Sequence, residues 1–337
     1  MIAGKPRSRE GKAAMTEFLA WNMDLLRTVA AMRTPLLDAF NALITHIGDE
    51  TVFMIVLMFV FWCVDKKRGY YLMMVCFTGT LLNQFLKLLL RIPRPWVLDP
   101  EFEIVESARS RAAGYSFPSG HTQNAVGIFG GIAGTSRHRG VKLACIVIAV
   151  LVPFSRLYLG VHTPFEVAAA AAAAVALLLL FDPVYRRMEE KPRFTAGIFL
   201  CMILCALLFR RYAQTQQLLA VSQGLPEEDL ANFAGAVKNA CCMLGASAGA
   251  LVVYLLERKY IKFETAAVWW AQLLKLAGGL VLVVGVKSVL KAPLYALMGA
   301  DGDAVRYGVM ILTAGVLWPL TFRWFGRLGK KKADTLQ

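Results

Sequence analysis

Tyr115-Ser116-Phe117-Pro118-Ser119-Gly120-His121-Thr122-Gln123-Asn124 is the stretch on which the reading of this 337-residue chain turns. A proline ends a loop, a serine and a glycine open the next segment, and a histidine sits where the first exposed amides of a helix would point. Helix N-termini carry unpaired N–H donors and a partial positive charge, so an oxyanion can bind there, with Ser119 as cap and Gly120 giving close backbone approach. Taken alone, the plainer reading, a loop entering a membrane helix, would prevail. The flanking sequence changes that balance.

A mean hydropathy of +0.53, 57% hydrophobic residues and repeated apolar runs of near-spanning length put most of the chain inside a bilayer. The formal charge of +14 comes from 37 Lys and Arg against 23 Asp and Glu. The basic residues cluster between apolar runs, which reads as membrane topology and not as a nucleic-acid surface. Cys63, Cys76, Cys145, Cys201, Cys205, Cys241 and Cys242 lie in or beside apolar runs, as small core residues would. Residues 1–15 are polar and basic without an apolar core, so no cleavable signal is expected and the first spanning helix directs insertion.

Working outward, residues 16–47 are interrupted by charges and read as two interfacial helices, the second behind Thr34 as cap and Pro35 at the first helical position. Spans are expected at 49–64, 70–91, 119–135, 142–158 and 163–181, then at 194–211, 233–255, 266–290 and 304–322. The domain reading is a tail with interfacial helices over 1–48, a transmembrane core over 49–182, and further transmembrane helices with a basic cytoplasmic tail over 183–337. The fold class is all-α, a polytopic transmembrane helical bundle. Asp65-Lys66-Lys67-Arg68, Ser136-Arg137-His138-Arg139 and Tyr185-Arg186-Arg187 fall on one side, which the positive-inside rule makes cytoplasmic. The loop 92–118 and the turn 158–162 then face outward.

Glycines 127, 130, 131 and 134 and the run Ala168–Ala174 predict tight helix packing. Pro226-Glu227-Glu228-Asp229 suggests a short surface helix. Lys238 and Lys287 are expected to snorkel, whereas Lys275 lies deep with no partner evident from sequence. The pair Gly245-x3-Gly249 is compatible with a homodimer.

Three outward clusters carry chemistry. In the first, Lys87-x6-Arg94-Pro95, a helix continuing to about Pro93 would put Lys87 and Arg94 on one face. The second is Pro118-Ser119-Gly120-His121. The third runs from Ser155-Arg156 to His162-Thr163-Pro164-Phe165-Glu166, where a helix starting near His162 places Glu166 one turn away, able to fix the imidazole tautomer. Each has a plain alternative: a basic helix end, a loop, an acid in a first helical turn. Together, the cations Lys87, Arg94 and Arg156 with helix amides suit the non-bridging oxygens of a phosphate, one imidazole suits attack on phosphorus and another protonation of the leaving oxygen. That chemistry needs neither a metal nor a cofactor. His46 and His138 read as structural or incidental.

In order and spacing these motifs resemble the type 2 phosphatidate phosphatase superfamily, the integral-membrane lipid phosphate phosphatases related at the site to vanadium-dependent haloperoxidases. The resemblance implies His162 as the nucleophile forming a phosphohistidine and His121 as general acid. It also implies phosphate binding by Lys87, Arg94, Ser119, Gly120 and Arg156. Glu166 departs from the family's aspartate by one methylene, so its orienting bond is expected to need a shifted helix or rotamer. Ser155 reads as turn support as readily as a ligand, and Tyr115 and Trp96 as interfacial anchors.

The expected activity is hydrolysis of a lipid phosphate or diphosphate at the outer face of a bacterial inner membrane, with undecaprenyl diphosphate the leading substrate. Phosphatidate, phosphatidylglycerophosphate and sphingoid phosphates are alternatives, as are lipid phosphotransfer and, in another class, a non-catalytic lipid transporter or binder.

Overall fold

The computed structural model describes residues 9–328. The basic start of the chain and the end of the basic tail lie outside that range. Two helices come first, α1 (Arg9–Ala30) and α2 (Pro35–Thr45). Thr34 caps α2 as the sequence predicts, its hydroxyl accepting from Leu37 N at 3.4 Å, and Pro35 supplies a first residue with no amide to satisfy. A tight turn, His46–Gly48, leads into α3 (Glu50–Phe59), which widens into a π turn over Val60–Val64. Asp65 then caps α4 (Lys66–Leu90) by accepting from Lys67 N and Arg68 N. A four-residue α5 (Pro95–Leu98) sits in the following loop. The remaining helices are α6 (Gly120–Thr135), α7 (Arg139–Tyr158), α8 (Pro164–Arg187), α9 (Pro192–Ser222), α10 (Glu227–Leu256), α11 (Trp269–Val289), α12 (Lys291–Met298), α13 (Gly302–Leu312) and the short α14 (Phe322–Phe325). Among the described residues there is no strand, so the all-α bundle is as expected.

Among the described residues, six helical runs are long and apolar enough to cross a membrane, and a seventh arises if α2 and α3 form one span bent by 55°. The nine separate spans expected from the sequence are therefore too many by this measure. The 49–64 segment is the second arm of that bent pair. With 16 residues, α6 is shorter than the ~20 needed to cross alone. The run Trp269–Phe325 holds two expected spans: α11 and α13 touch, and the chain turns back through Gly299 at φ 58°. No short surface helix follows Pro226. Glu227, Glu228 and Asp229 form the first turn of the thirty-residue α10.

Packing follows the small residues. A Cβ on Gly131 would lie 2.6 Å from a Leu72 methyl of α4, and one on Gly130 would lie 2.9 Å from Leu178 of α8, so α6 is wedged between those two helices. Gly134 meets nothing and takes no part. The extension from α9 onward shares a hydrophobic core with the first half. Trp62, fully buried, donates from Nε1 to Ala314 O at 2.9 Å and packs edge-on against Phe322. Gly245 and Gly249 face Ala304, Gly308 and Ile311, so the pair compatible with a dimer is used within the chain, against α13. Buried Lys275 has its partners: Nζ donates to Thr265 O at 2.9 Å and lies 4.7 Å from the centre of the Phe322 ring. Lys287 lies 5.4 Å from the Tyr307 ring. The cysteines are free; four are buried, while Cys201 and Cys205 face outward.

Leu143, Val150, Leu179, Leu180, Leu208 and Val281 are exposed on the helix flanks, a surface suited to hydrocarbon and unsuited to water. The two ends of the bundle differ. At one, Lys66 pairs with Glu257 at 2.6 Å and Lys67 and Arg258 donate to Arg186 O and Glu189 O, which gathers the basic links together. The three motif clusters gather at the other. The protein is thus an integral membrane protein with its chemistry-bearing residues at the end away from the basic turns.

Gly245→Ala would place a Cβ 1.9 Å from Ala304 O, and overpacking of this kind costs about 1–3 kcal/mol. A lowered thermal midpoint in detergent is the expected result; an unchanged midpoint would show that α10 and α13 can move apart freely.

Candidate active site

The first cluster reaches the site by a route other than the one expected. Pro93 and Pro95 disfavour helix at the residues preceding them, and α4 stops at Leu90, where Arg91 takes the left-handed conformation at φ 50°. Arg94 is then delivered by the turn into α5, not by helical register with Lys87. Arg91 anchors this turn, bonding the Gln216 side chain and lying 4.8 Å from the Phe233 ring. The Arg94 guanidinium is buried and donates to Gly114 O (2.9 Å), Ala113 O (2.8 Å), Val161 O (3.0 Å) and the His162 ring. Lys87 Nζ donates to Tyr115 O at 2.5 Å.

His162 lies in the loop between α7 and α8, with 2% of its side chain exposed. Its two nitrogens are held differently. Nδ1 stands 3.0 Å from Glu166 Oε2, and Nε2 stands 3.0 Å from Arg94 Nη1. Guanidinium nitrogens only donate, so Nε2 accepts and carries the lone pair, while Nδ1–H donates to the carboxylate. Glu166 Oε2 also accepts from Thr163 N at 3.0 Å and from Ser116 Oγ at 2.6 Å. Glu166 occupies the third helical position after the cap Thr163, where a glutamate reaches back to the cap amide. That reach back to the cap amide is the geometry in which Glu166 Oε2 also meets His162 Nδ1.

In the second cluster Ser119 caps α6, its Oγ accepting from Thr122 N (3.4 Å) and Thr122 Oγ1 (2.9 Å). Ser119 N donates to Glu166 O at 3.4 Å, which sets the start of α6 against the start of α8. His121 is the second residue of α6, and its Nε2 lies 3.0 Å from Asp49 Oδ1. Asp49 Oδ2 lies 3.2 Å from Nδ1 of His46, so His46 is not incidental. Arg156, fully buried at the end of α7, donates to Thr45 Oγ1 at 2.6 Å. Ser155 bonds back to Val152 O at 2.6 Å and supports the helix end.

Sequence reasoning missed Ser116, Asn83, Thr45 and Asp49. Ser116 was within the opening stretch, but nothing local marks it as a carboxylate partner. Asn83 donates to Pro118 O at 3.2 Å from a neighbouring helix. Tyr115 is more than an anchor: its hydroxyl donates to Asp229 Oδ1 at 2.8 Å, and burial, then that bond, push the phenol up to about 12. Trp96 lies between the guanidinium groups of Arg94 and Arg109, 5.9 and 5.3 Å from its ring.

Burial, then the nearby charges of Arg94, Arg156 and Lys87, hold the His162 imidazole well below its ordinary value. Three cations thus converge on one neutral ring with a bare nitrogen. Among the described residues no group of three or more His, Cys, Asp or Glu is placed to hold a metal ion.

Residues 67–188 match the PAP2 superfamily, and residues 241–331 match the transmembrane extension of PAP2 superfamily phosphatases. The chain belongs to the PAP2 superfamily and is a membrane lipid phosphatase of the kind that carries this extension. It is 29% identical to phosphatidylglycerophosphatase B of Bacillus subtilis (strain 168) over 183 residues, which are 49% of this chain and 85% of that protein. Undecaprenyl-diphosphatase BcrC of the same organism is 31% identical over 103 residues, 31% of this chain and 50% of that one. Among solved structures, Aquifex aeolicus LpxE is 27% identical, with 48% of this chain and 93% of that chain covered and a TM-score of 0.43.

Ser116→Ala removes one of three donors to the buried Glu166 oxygen. A hydrogen bond to a charged group is worth about 1.5–3 kcal/mol, so phosphate release is expected to slow about ten- to a hundredfold. An unchanged rate in detergent would show that Ser116 plays no part in holding the carboxylate.

Proposed function

We propose that the protein hydrolyses a lipid phosphate or diphosphate without a metal, through a phosphohistidine at His162. The observation that carries this reading is the His162 tautomer: Nδ1–H donates to Glu166 and Arg94 faces a bare Nε2. Lys87, Arg94 and Arg156, with the amides of Ser119 and Gly120 at the start of α6, bind the non-bridging oxygens. Phosphate draws Arg94 off Nε2, whose lone pair then attacks phosphorus. The bond to the leaving oxygen breaks as His121 gives it a proton. Water next attacks the phosphohistidine, its proton passes to His121, and inorganic phosphate leaves with the P–N bond broken and both histidines restored.

An amphiphilic substrate is supported by two cavities. One of mixed polarity, about 250 Å³, lies between α3, α4, α6, α10 and α13, its polar lining including Asn83, Gln84, Lys238, Asn239 and the acid Glu50. It adjoins Gly120 of the phosphate cradle. An apolar groove of about 760 Å³ between α4, α8 and α9 reaches Phe85, two residues before Lys87. The Lys238 amine offers a counter-charge for a second phosphate. With Glu50 in the same lining, Lys238 is, among the described residues, the one lysine or arginine there that could meet a second phosphate, and on that cation a two-phosphate substrate is proposed, undecaprenyl diphosphate first; phosphatidylglycerophosphate also carries two. The names of the two Bacillus subtilis relatives agree with either. The basic end of the bundle is cytoplasmic by the positive-inside rule, so the reaction takes place at the outer face of a bacterial inner membrane.

His162→Ala is expected to abolish phosphate release from isoprenoid, glycerolipid and sphingoid phosphates alike in detergent with chelator present; retained turnover would overturn the nucleophile assignment. Lys238→Ala is expected to raise KM about tenfold for a lipid diphosphate and much less for phosphatidate, the size of one lost charge-assisted contact. Equal effects on both would remove the case for a second phosphate. Because its environment favours the neutral ring, His162 loses its proton at a lower pH than a free histidine, and remains nucleophilic as pH falls through about 6.5. In an NMR titration of the four histidines, the resonance lost in His162→Gln should have its midpoint below that value. A midpoint at or above it would contradict the tautomer reading.

A further inference from the structure

Two residues that approach His121, Gly48 and Asp49, come from one short segment, Thr45-His46-Ile47-Gly48-Asp49, between the two arms of the bent α2–α3 pair. Asp49 is the N-cap of α3, where an aspartate ordinarily accepts from the first amides of its own helix. Here the side chain makes no capping bond. Its two oxygens are turned to two histidines instead, Oδ1 to His121 Nε2 at 3.0 Å and Oδ2 to His46 Nδ1 at 3.2 Å. The turn is shaped for this. A Cβ on Gly48 would stand 2.9 Å from a Val152 methyl, 3.0 Å from His121 Cβ and 3.1 Å from its Cδ2, so a side chain here would press on the ring. Asp49 N donates to His46 O at 3.0 Å and fixes the turn, while Thr45 Oγ1 receives Arg156 from the phosphate-binding set at 2.6 Å.

We infer that Thr45–Asp49 is a fourth part of the active site, with Asp49 the positioning residue for the acid His121 and His46 the brace that orients Asp49. The inference rests on the proposed role of His121. With Nε2–H donated to Asp49, the proton that reaches the leaving oxygen is the one on Nδ1. The carboxylate keeps the first proton in place and stabilises the positive ring from which the second departs. After transfer the ring is neutral and still bonded to Asp49, oriented to receive a proton from the attacking water at the same Nδ1. The relation repeats the one between Glu166 and His162, with one carboxylate behind each histidine. Exposure rises along the series, from 17% for His121 to 23% for Asp49 and 40% for His46, so the brace lies on the solvent side and the working ring on the buried side.

The test separates help given to an acid from help given to the fold. An alkyl phosphate such as phosphatidate needs its leaving oxygen protonated, whereas 4-nitrophenyl phosphate releases a stable anion without it. In the full-length protein in detergent, under single-turnover conditions that read formation of the phosphohistidine alone, Asp49→Asn is expected to slow release of the lipid alcohol from phosphatidate about ten- to a hundredfold and release of 4-nitrophenol from the aryl ester less than about threefold. Asp49→Glu should recover part of the loss, and His46→Gln should show the same selectivity with a smaller effect. Added to His121→Ala, Asp49→Asn should cost less than about a further twofold, since the two act as a unit. Equal losses on both esters, or losses that add to those of His121→Ala, would overturn the inference. If His121→Ala itself fails to discriminate between the esters, the acid assignment fails and Asp49 with it. If His121→Ala discriminates and Asp49→Asn does not, only the role of Asp49 is lost.

Discussion

One oxygen atom, Oε2 of Glu166, holds the site together. It accepts from the amide that caps α8, from the ring of His162 and from the hydroxyl of Ser116. The cap sets where α8 begins, the ring bond sets the tautomer, and the hydroxyl ties the loop before α6 to both. A carboxylate only 1% exposed is costly unless its charge is met, and Arg94 and Lys87 meet it. The same two cations suit an incoming phosphate, so the charge balance that lets the site fold is also the one that lets it bind.

The bilayer and the packing of α6 make that arrangement rigid. Helix α6 enters between α4 and α8 through glycines that admit Leu72 and Leu178, and its N-terminus is carried to the start of α8, where Ser119 N bonds Glu166 O. Shifting α6 by one residue would put side chains where glycines now stand. The position of the first amides of α6, those proposed to bind the anion, therefore follows from helix packing well away from them.

Much of this was legible in the sequence, because its signals are local. Ser119 as cap, Glu166 one turn beyond His162, Thr34 and Pro35 at the start of α2, and the gathering of basic links at one end each depend on residues a few positions apart. What escaped depends on pairs brought together by tertiary structure. Asp49 and His121 are separated by 72 positions, and Thr45 and Arg156 by 111. Helix ends were misjudged where two local rules competed: α4 had apolar residues enough to continue, yet the prolines at 93 and 95 forced a left-handed turn at Arg91. The acidic turn at Glu227 was recognised as a helix start, but its length was set by the antiparallel packing of α9 and α10, which no short window contains.

The extension does more than brace the core. Asn239 of α10 donates to Gln84 of α4 at 3.0 Å, and both side chains line the cavity beside Gly120. Tyr115, whose carbonyl receives Lys87, sends its hydroxyl to Asp229 in the first turn of the same helix. Two contacts thus register α10 against the residues that surround the phosphate cradle, one on each side of Lys87. A chain ending after α8 would keep the histidines, the cations and their carboxylates, but it would leave this flank of the cradle open. The proposed reacting groups belong to the first half of the chain, while part of the cavity wall beside them belongs to the second. Discrimination among phosphate esters that share the same reacting group has to arise where they differ, and on this flank the groups available to read the difference are Gln84, Lys238 and Asn239.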